Sequence, residues 1–160
     1  MTNISEKTVS LLKSSGLTLV TAESCTGGLI AKMITDVSGS SSVFECGIVS
    51  YSNRIKSMLL DVPEDILLEY GAVSQQTAVL MAQGVLKKSG SDIGVGITGI
   101  AGPTGGTPDK PVGTVWIAWA TPEGTQAQCF HFGASREREQ ITLRAVTESL
   151  VHLIKLLNTK

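Results

Sequence analysis

Leu17-Thr18-Leu19-Val20-Thr21-Ala22-Glu23-Ser24-Cys25-Thr26-Gly27-Gly28-Leu29-Ile30 takes a short apolar run through a hydroxyl-lined, glycine-rich turn and into the start of a helix. The run from Leu17 to Thr21 has the composition of a strand. Beyond the turn, Leu29, Ile30, Met33, Ile34 and Val37 recur every three or four residues, which is the spacing of one buried helix face. Strand, turn and helix in that order open an α/β unit. A second stretch repeats its first half: Ile93 to Ile97 runs out into Thr98-Gly99-Ile100-Ala101-Gly102-Pro103-Thr104-Gly105-Gly106. Loops of this kind bind anions and polarised oxygens, because amides unpaired at a helix start point at whatever sits there and glycine allows close approach to the main chain.

The flanking sequence extends the pattern. Ser5 to Leu12 has helical spacing with Gly16 as its stop, Val43 to Ser50 reads as a second strand, and Asn53 to Leu60 as a short helix. Pro63 to Tyr70 predicts another helix with proline in its first turn, and Ser74 caps a longer one that reaches about Lys88 and stops at Gly90. The strand Ile93 to Ile97 alternates with glycine and is expected to be buried on both faces. Val112 to Ala120 and Thr125 to Phe132 flank Pro122-Glu123-Gly124 as a hairpin, and Arg138 to Leu157 forms a closing amphipathic helix. With no repeat, linker or low-complexity segment, residues 1–160 are expected to form one domain. Its class is α/β: a three-layer α/β/α sandwich with a mixed, mainly parallel sheet of about five strands. Parallel first and second strands bring their carboxyl ends to one edge, so Ser24 and the segment from Ser50 to Lys56 meet there, and the third strand adds Thr98 and Gly99.

Lys and Arg total 13 against 14 Asp and Glu, a net charge of −1, which disfavours a nucleic-acid partner. Three cysteines, Cys25, Cys46 and Cys129, form neither a CxxC pair nor a secreted disulfide framework and suit a reducing cytoplasm. Met1 to Val9 lacks the apolar core of a signal peptide, and no run approaches the ~20 apolar residues that span a bilayer. The expectation is a cytoplasmic protein without a membrane partner. No HExxH, paired Cys/His spacing or aspartate cluster points to a metal, and no cofactor is implied.

Ser24 has two readings. As a nucleophile it would have the Cys25 and Thr26 amides beside it as an oxyanion hole at a helix start; as an N-cap it would only satisfy a helix amide, the commoner role. A serine nucleophile needs a base, and neither His131, in a strand, nor His152, deep in the last helix, follows a glycine loop. Lys56 is the better candidate if burial lowers its pKa, although a lysine on a short helix is usually a solvated charge. Cys25 is an alternative nucleophile or a small buried hydrophobe. Glu23 either orients Lys56 or a substrate amide, or favours the helix dipole. Arg136, Arg138 and Arg144 can clamp a phosphate or form a solvated face with Glu137 and Glu139.

Ala22-Glu23-Ser24-Cys25-Thr26-Gly27-Gly28, Tyr51-Ser52-Asn53 with Lys56, Gly71-Ala72-Val73-Ser74, Thr98-Gly99-Ile100-Ala101-Gly102-Pro103 and Lys110-Pro111-Val112-Gly113-Thr114-Val115 together resemble the CinA C-terminal domain family. The resemblance spans nearly the whole chain. It implies nicotinamide-nucleotide amidase activity, the hydrolysis of the carboxamide of nicotinamide mononucleotide to nicotinate mononucleotide and ammonia by a metal-free serine/lysine mechanism. Carried onto this chain, Ser24 is the nucleophile, Lys56 the base, and Tyr51 a hydroxyl near the pair. Glu23, Cys25, Thr26, Gly27, Asn53, Thr98, Gly99, Gly102 and Arg138 are assigned to substrate binding. Where the family has Gly-Asp-Arg this chain reads Gly133-Ala134-Ser135-Arg136-Glu137-Arg138, which leaves open the arginine that meets the phosphate. Longer family members carry a further N-terminal domain, so a stand-alone amidase is expected here, working as a homo-oligomer because the domain is small and its loops exposed. The alternatives are a non-catalytic binding module for pyridine nucleotides or other phosphorylated ligands, and an amidase for another small amide.

Overall fold

The computed structural model describes residues 3–159. Five strands, β1 (Leu19–Glu23), β2 (Phe44–Val49), β3 (Ile93–Gly99), β4 (Thr114–Thr121) and β5 (Gly124–His131), form one sheet in the order β2-β1-β3-β4-β5. β1 pairs in parallel with β2 and β3, while β4 is antiparallel to both β3 and β5, so only β4 runs against the common direction. The expected mixed, mainly parallel sheet is present.

Helices cover both faces. Packed on the odd-numbered side chains of the central strands, Leu19, Val95, Ile97, Val115, Ile117 and Trp119, are α1 (Ile4–Ser15), α2 (Leu29–Thr35) and α6 (Arg138–Asn158). On the other face lie α3 (Asn53–Leu60), α4 (Glu64–Tyr70) and α5 (Gln75–Ser89), with Val20 and Ala22 beneath them. Strand alternation explains the division, since successive side chains leave opposite faces. β3 shows its extreme form. Its α5-facing positions are Gly94 and Gly96, where an added Cβ would stand 2.5 Å from the Ala82 and Ala78 carbonyl oxygens respectively. Ala78, Ala82, Ala118 and Ala120 continue this small-residue seam, so α5 lies close against the sheet.

Most helix ends follow the caps legible in the sequence. Gly16 and Gly90 close α1 and α5 in the left-handed conformation, and Ser74 Oγ accepts from Thr77 N at the start of α5. Pro63 differs: it is the N-cap of α4 rather than a first-turn residue. The place of Ser24 relative to α2 differs more consequentially. Ser24 was expected at a helix start, but residues 24–28 form turns, and α2 begins at Leu29 with Gly28 as its N-cap at φ 97° and no capping side chain of its own. The chain leaves β1 for β2 by way of α2 on one face and returns from β2 to β3 by way of α3, α4 and α5 on the other. A crevice therefore opens at the carboxyl end of β1, where the two connections part.

Candidate active site

Ser24 continues the β1 ladder by one residue, donating its amide to Ile97 O at 3.0 Å, and Ser50 N donates to Glu23 O at 2.8 Å. Alternation at this strand end sends Glu23 toward α2 and Ser24 toward α3. Ser52 caps α3, accepting from Ile55 N, and the first turn of that helix carries Lys56 back over the rim. Its Nζ lies 3.0 Å from Ser24 Oγ and donates to the carbonyls of Ser50 at 2.7 Å and Tyr51 at 3.3 Å. Lys56 is 1% exposed, no carboxylate pairs with it among the described residues, and burial brings its pKa down from 10.5 to about 8. A group in that state is a base that works near neutral pH. Ser24 Oγ has Lys56 as its hydrogen-bond partner, and the N-cap of α2 is Gly28, so Ser24 is not that helix's cap.

Among the described residues, the amides of Cys25 and Thr26 donate to no protein acceptor. They belong to a turn and not to a helix start. Cys25 itself is no thiolate: burial, with Glu23 adding to it, pushes its pKa up to about 12.

A cavity of ≈320 Å³ opens over the pair, walled by Ser24, Cys25, Tyr51, Lys56, Thr98, Gly99, Gly102 and Arg138 among others. Ala72 and Val73 complete one side, where Thr98 Oγ1 donates to Ala72 O at 2.8 Å. The amides of Ala101, Gly102, Thr104 and Gly105 in the second glycine loop also lack protein acceptors among the described residues. Arg138 donates to Gly102 O and, at 2.8 Å, to Tyr51 Oη, spanning the exposed wall of the cavity. Arg136 instead donates to Phe132 O, and with Arg144 it lines a separate, larger hollow of ≈410 Å³ along α6 that contains no nucleophile and base in contact.

Four expected positions fall elsewhere. Asn53 lies in a neighbouring hollow with Arg54 and Leu67, outside the cavity wall although it is one turn from Lys56 on α3. Thr26 and Gly27 lie outside the cavity wall, the Thr26 hydroxyl being bonded to Glu23. Glu23 meets neither Lys56 nor the cavity. Its carboxylate accepts from Thr26 Oγ1 and from the amides of Gly28, Ile30 and Ala31. His131 and His152 are remote as expected, the latter stacked on Trp119 with ring centroids 3.9 Å apart. The residues that sequence reasoning missed act through their backbones. The Ser50 and Tyr51 carbonyls leave no signal in residue type, whereas Ala72 and Val73 sit in a motif already visible before the Ser74 cap.

Fold and site thus define a class: an α/β sandwich with a buried serine–lysine pair at the carboxyl edge of its parallel strands. The chain belongs to the CinA C-terminal domain family, whose sequence model matches residues 1–157. The nicotinamide-nucleotide amidohydrolase PncC of Escherichia coli (strain K12) is 49% identical over 146 residues, 89% of this chain and 88% of that protein. The CinA-like protein of Geotalea uraniireducens (strain Rf4) is 58% identical over 128 residues, 80% of this chain but 30% of its own length. The chain spans about a third of the CinA-like relatives it matches. The competence/damage inducible protein CihA from Agrobacterium tumefaciens superposes with a TM-score of 0.92 at 40% identity, over 99% of both chains. No helix among the described residues is long and apolar enough to cross a membrane.

Proposed function

We propose that residues 1–160 act as one amidohydrolase domain that converts nicotinamide mononucleotide to nicotinate mononucleotide and ammonia through an acyl-enzyme on Ser24. The observation that carries this reading is the buried contact of 3.0 Å between Lys56 Nζ and Ser24 Oγ. The similarity to the PncC amidohydrolase supports the choice of substrate.

The carboxamide carbon sits over Ser24. Neutral Lys56 takes the Ser24 proton as Oγ attacks, and the oxyanion forms against the Cys25 amide at the cavity wall. Collapse breaks the C–N bond, and ammonia leaves with the proton returned by Lys56. Water then attacks the Ser24 ester, giving up a proton to Lys56, which returns it to Ser24 as the carboxylic acid is released and ionises. The phosphate lies against the unpaired amides of the second glycine loop and Arg138, whose guanidinium exchanges its Gly102 or Tyr51 bond for a charge-assisted one. Tyr51 Oη, already bound to Arg138, stays at the exposed wall. The cationic pyridinium ring of the substrate helps to hold Lys56 neutral. We place the protein in the cytoplasm, consistent with its three free cysteines, as a homo-oligomer, to be checked by light scattering on the eluting protein.

The decisive test is ammonia release from nicotinamide mononucleotide by the purified protein beside Ser24→Ala and Lys56→Ala variants of verified fold. Activity in the parent and a loss of 10³-fold or more in each variant is expected. Binding without release by the parent would sink the amidase reading and leave a binding module.

A further inference from the structure

We propose that Glu23 is a positioning residue for the reaction: its carboxylate holds the Ser24 turn so that the Cys25 amide stays in place at the cavity wall. This rests on the amidase reading above and deepens it.

Glu23 is 1% exposed and lies one residue before the nucleophile, yet no cation pairs with it among the described residues. Its charge is met by donors instead. Oε2 takes Thr26 Oγ1 at 2.5 Å, Gly28 N at 3.2 Å and Ile30 N at 3.1 Å, and Oε1 takes Ala31 N at 2.9 Å. The amides are those an α-helix leaves orphaned at its start, and Gly28, the N-cap of α2, has no side chain to satisfy them. Glu23 therefore caps α2 from five residues upstream, across the loop that contains Ser24, Cys25 and Thr26.

Two consequences follow for catalysis. The helix N-terminus, ordinarily an anion site, is occupied by the protein's own carboxylate and is closed to the substrate. Of the amides left over in the turn, that of Cys25 belongs to a residue of the cavity wall and that of Thr26 does not; the Thr26 hydroxyl, tied to Oε2, anchors the turn just behind Cys25. With Ser24 N bound to Ile97 O at one end and Gly28 N to Glu23 at the other, the turn is clamped on both sides of the nucleophile. An oxyanion hole works only when its donors stand in place before charge develops, and misplacement by about 1 Å can cost ~10²-fold in rate. A carboxylate suits the role because every group facing it is a donor. Glutamine of the same shape presents one acceptor oxygen and an amide that must itself donate.

The test compares Glu23→Gln with the parent by crystallography of residues 24–28 and by steady-state kinetics on nicotinamide mononucleotide. Expected are a displaced turn and a kcat lowered 10- to 100-fold at nearly unchanged KM, with Lys56 still titrating at its parental position in the pH–rate profile. A merely structural role would lower the folded fraction and leave kcat per folded molecule intact, which would overturn the proposal, as would an unmoved turn. Should Glu23→Gln not fold, Thr26→Val removes one donor without burying an unpaired charge, and a several-fold fall in kcat at constant KM is expected; unchanged kcat refutes the proposal. If the parent releases no ammonia, the amidase reading fails by itself, and the crystallographic arm still decides whether Glu23 holds the turn.

Discussion

Lys56 shows how one residue can be chosen by type yet made by its surroundings. A lysine on a short helix, seven residues beyond a strand end, is ordinarily a solvated charge, and what makes this one a base is burial with no carboxylate partner among the described residues. With a folded pKa of about 8, kcat/KM for nicotinamide mononucleotide should rise with pH through that value and level off above it. Stability carries the same signature. Between about 8 and 10.5 the unfolded chain holds a proton that the folded chain has released, so wild-type stability should rise with pH relative to Lys56→Met. The gain should be on the order of 3 kcal/mol at 1.36 per unit, read from denaturant titrations across that window. A flat difference would contradict it. Arg138 gives a second prediction at this scale: Arg138→Ala should raise KM for the mononucleotide about 10- to 100-fold, the worth of a charge-assisted hydrogen bond, with a smaller change in kcat. Steady-state kinetics decides this, and an unchanged KM would put the phosphate elsewhere.

Elements were legible where their ends are written in side chains. Gly16, Ser74 and Gly90 mark helix boundaries through φ or a hydroxyl, and periodicity marks α1, α2 and α6. Periodicity places the start of α2 at Leu29, where it is, but not its cap, which lies outside the window in which capping residues are sought: the acceptor is Glu23, at the end of the preceding strand. The glycine alternation of β3 signalled burial on both faces, but what those glycines admit is known only from the approach of α5. Gly96→Ala should cost about 1–3 kcal/mol by overpacking, since its Cβ would stand 2.5 Å from Ala78 O and 2.6 Å from Ala82 N. Thermal or urea unfolding provides the check, and a neutral substitution would mean that α5 can lift without penalty.

At the level of the whole molecule, the site exists because three parallel strands end on one edge and their loops share one cavity. The nucleophile comes from the loop after β1, the base from α3 after β2, and one wall from the loop after β3, with Arg138 reaching in from the start of α6. Binding should therefore survive removal of the reacting hydroxyl. Ser24→Ala, with nicotinamide mononucleotide at 100 times its Kd, should gain about 2.7 kcal/mol of unfolding free energy, seen as a raised Tm. No shift would argue against this cavity as the nucleotide site.

Sequence alone determined the layer order, the strands and most helix ends, because periodicity, capping hydroxyls and left-handed glycines act over a few residues. By type and motif it also singled out Ser24 and Lys56. Only the tertiary structure decided that Lys56 is buried against Ser24, that Asn53 lines a different hollow, that Arg138 and not Arg136 reaches the cavity, and that Glu23 caps α2. These depend on which face of an element a side chain leaves and on what another element brings opposite it. Burial, the shift in pKa and the sharing of donors arise between segments distant in sequence, and no local pattern encodes them.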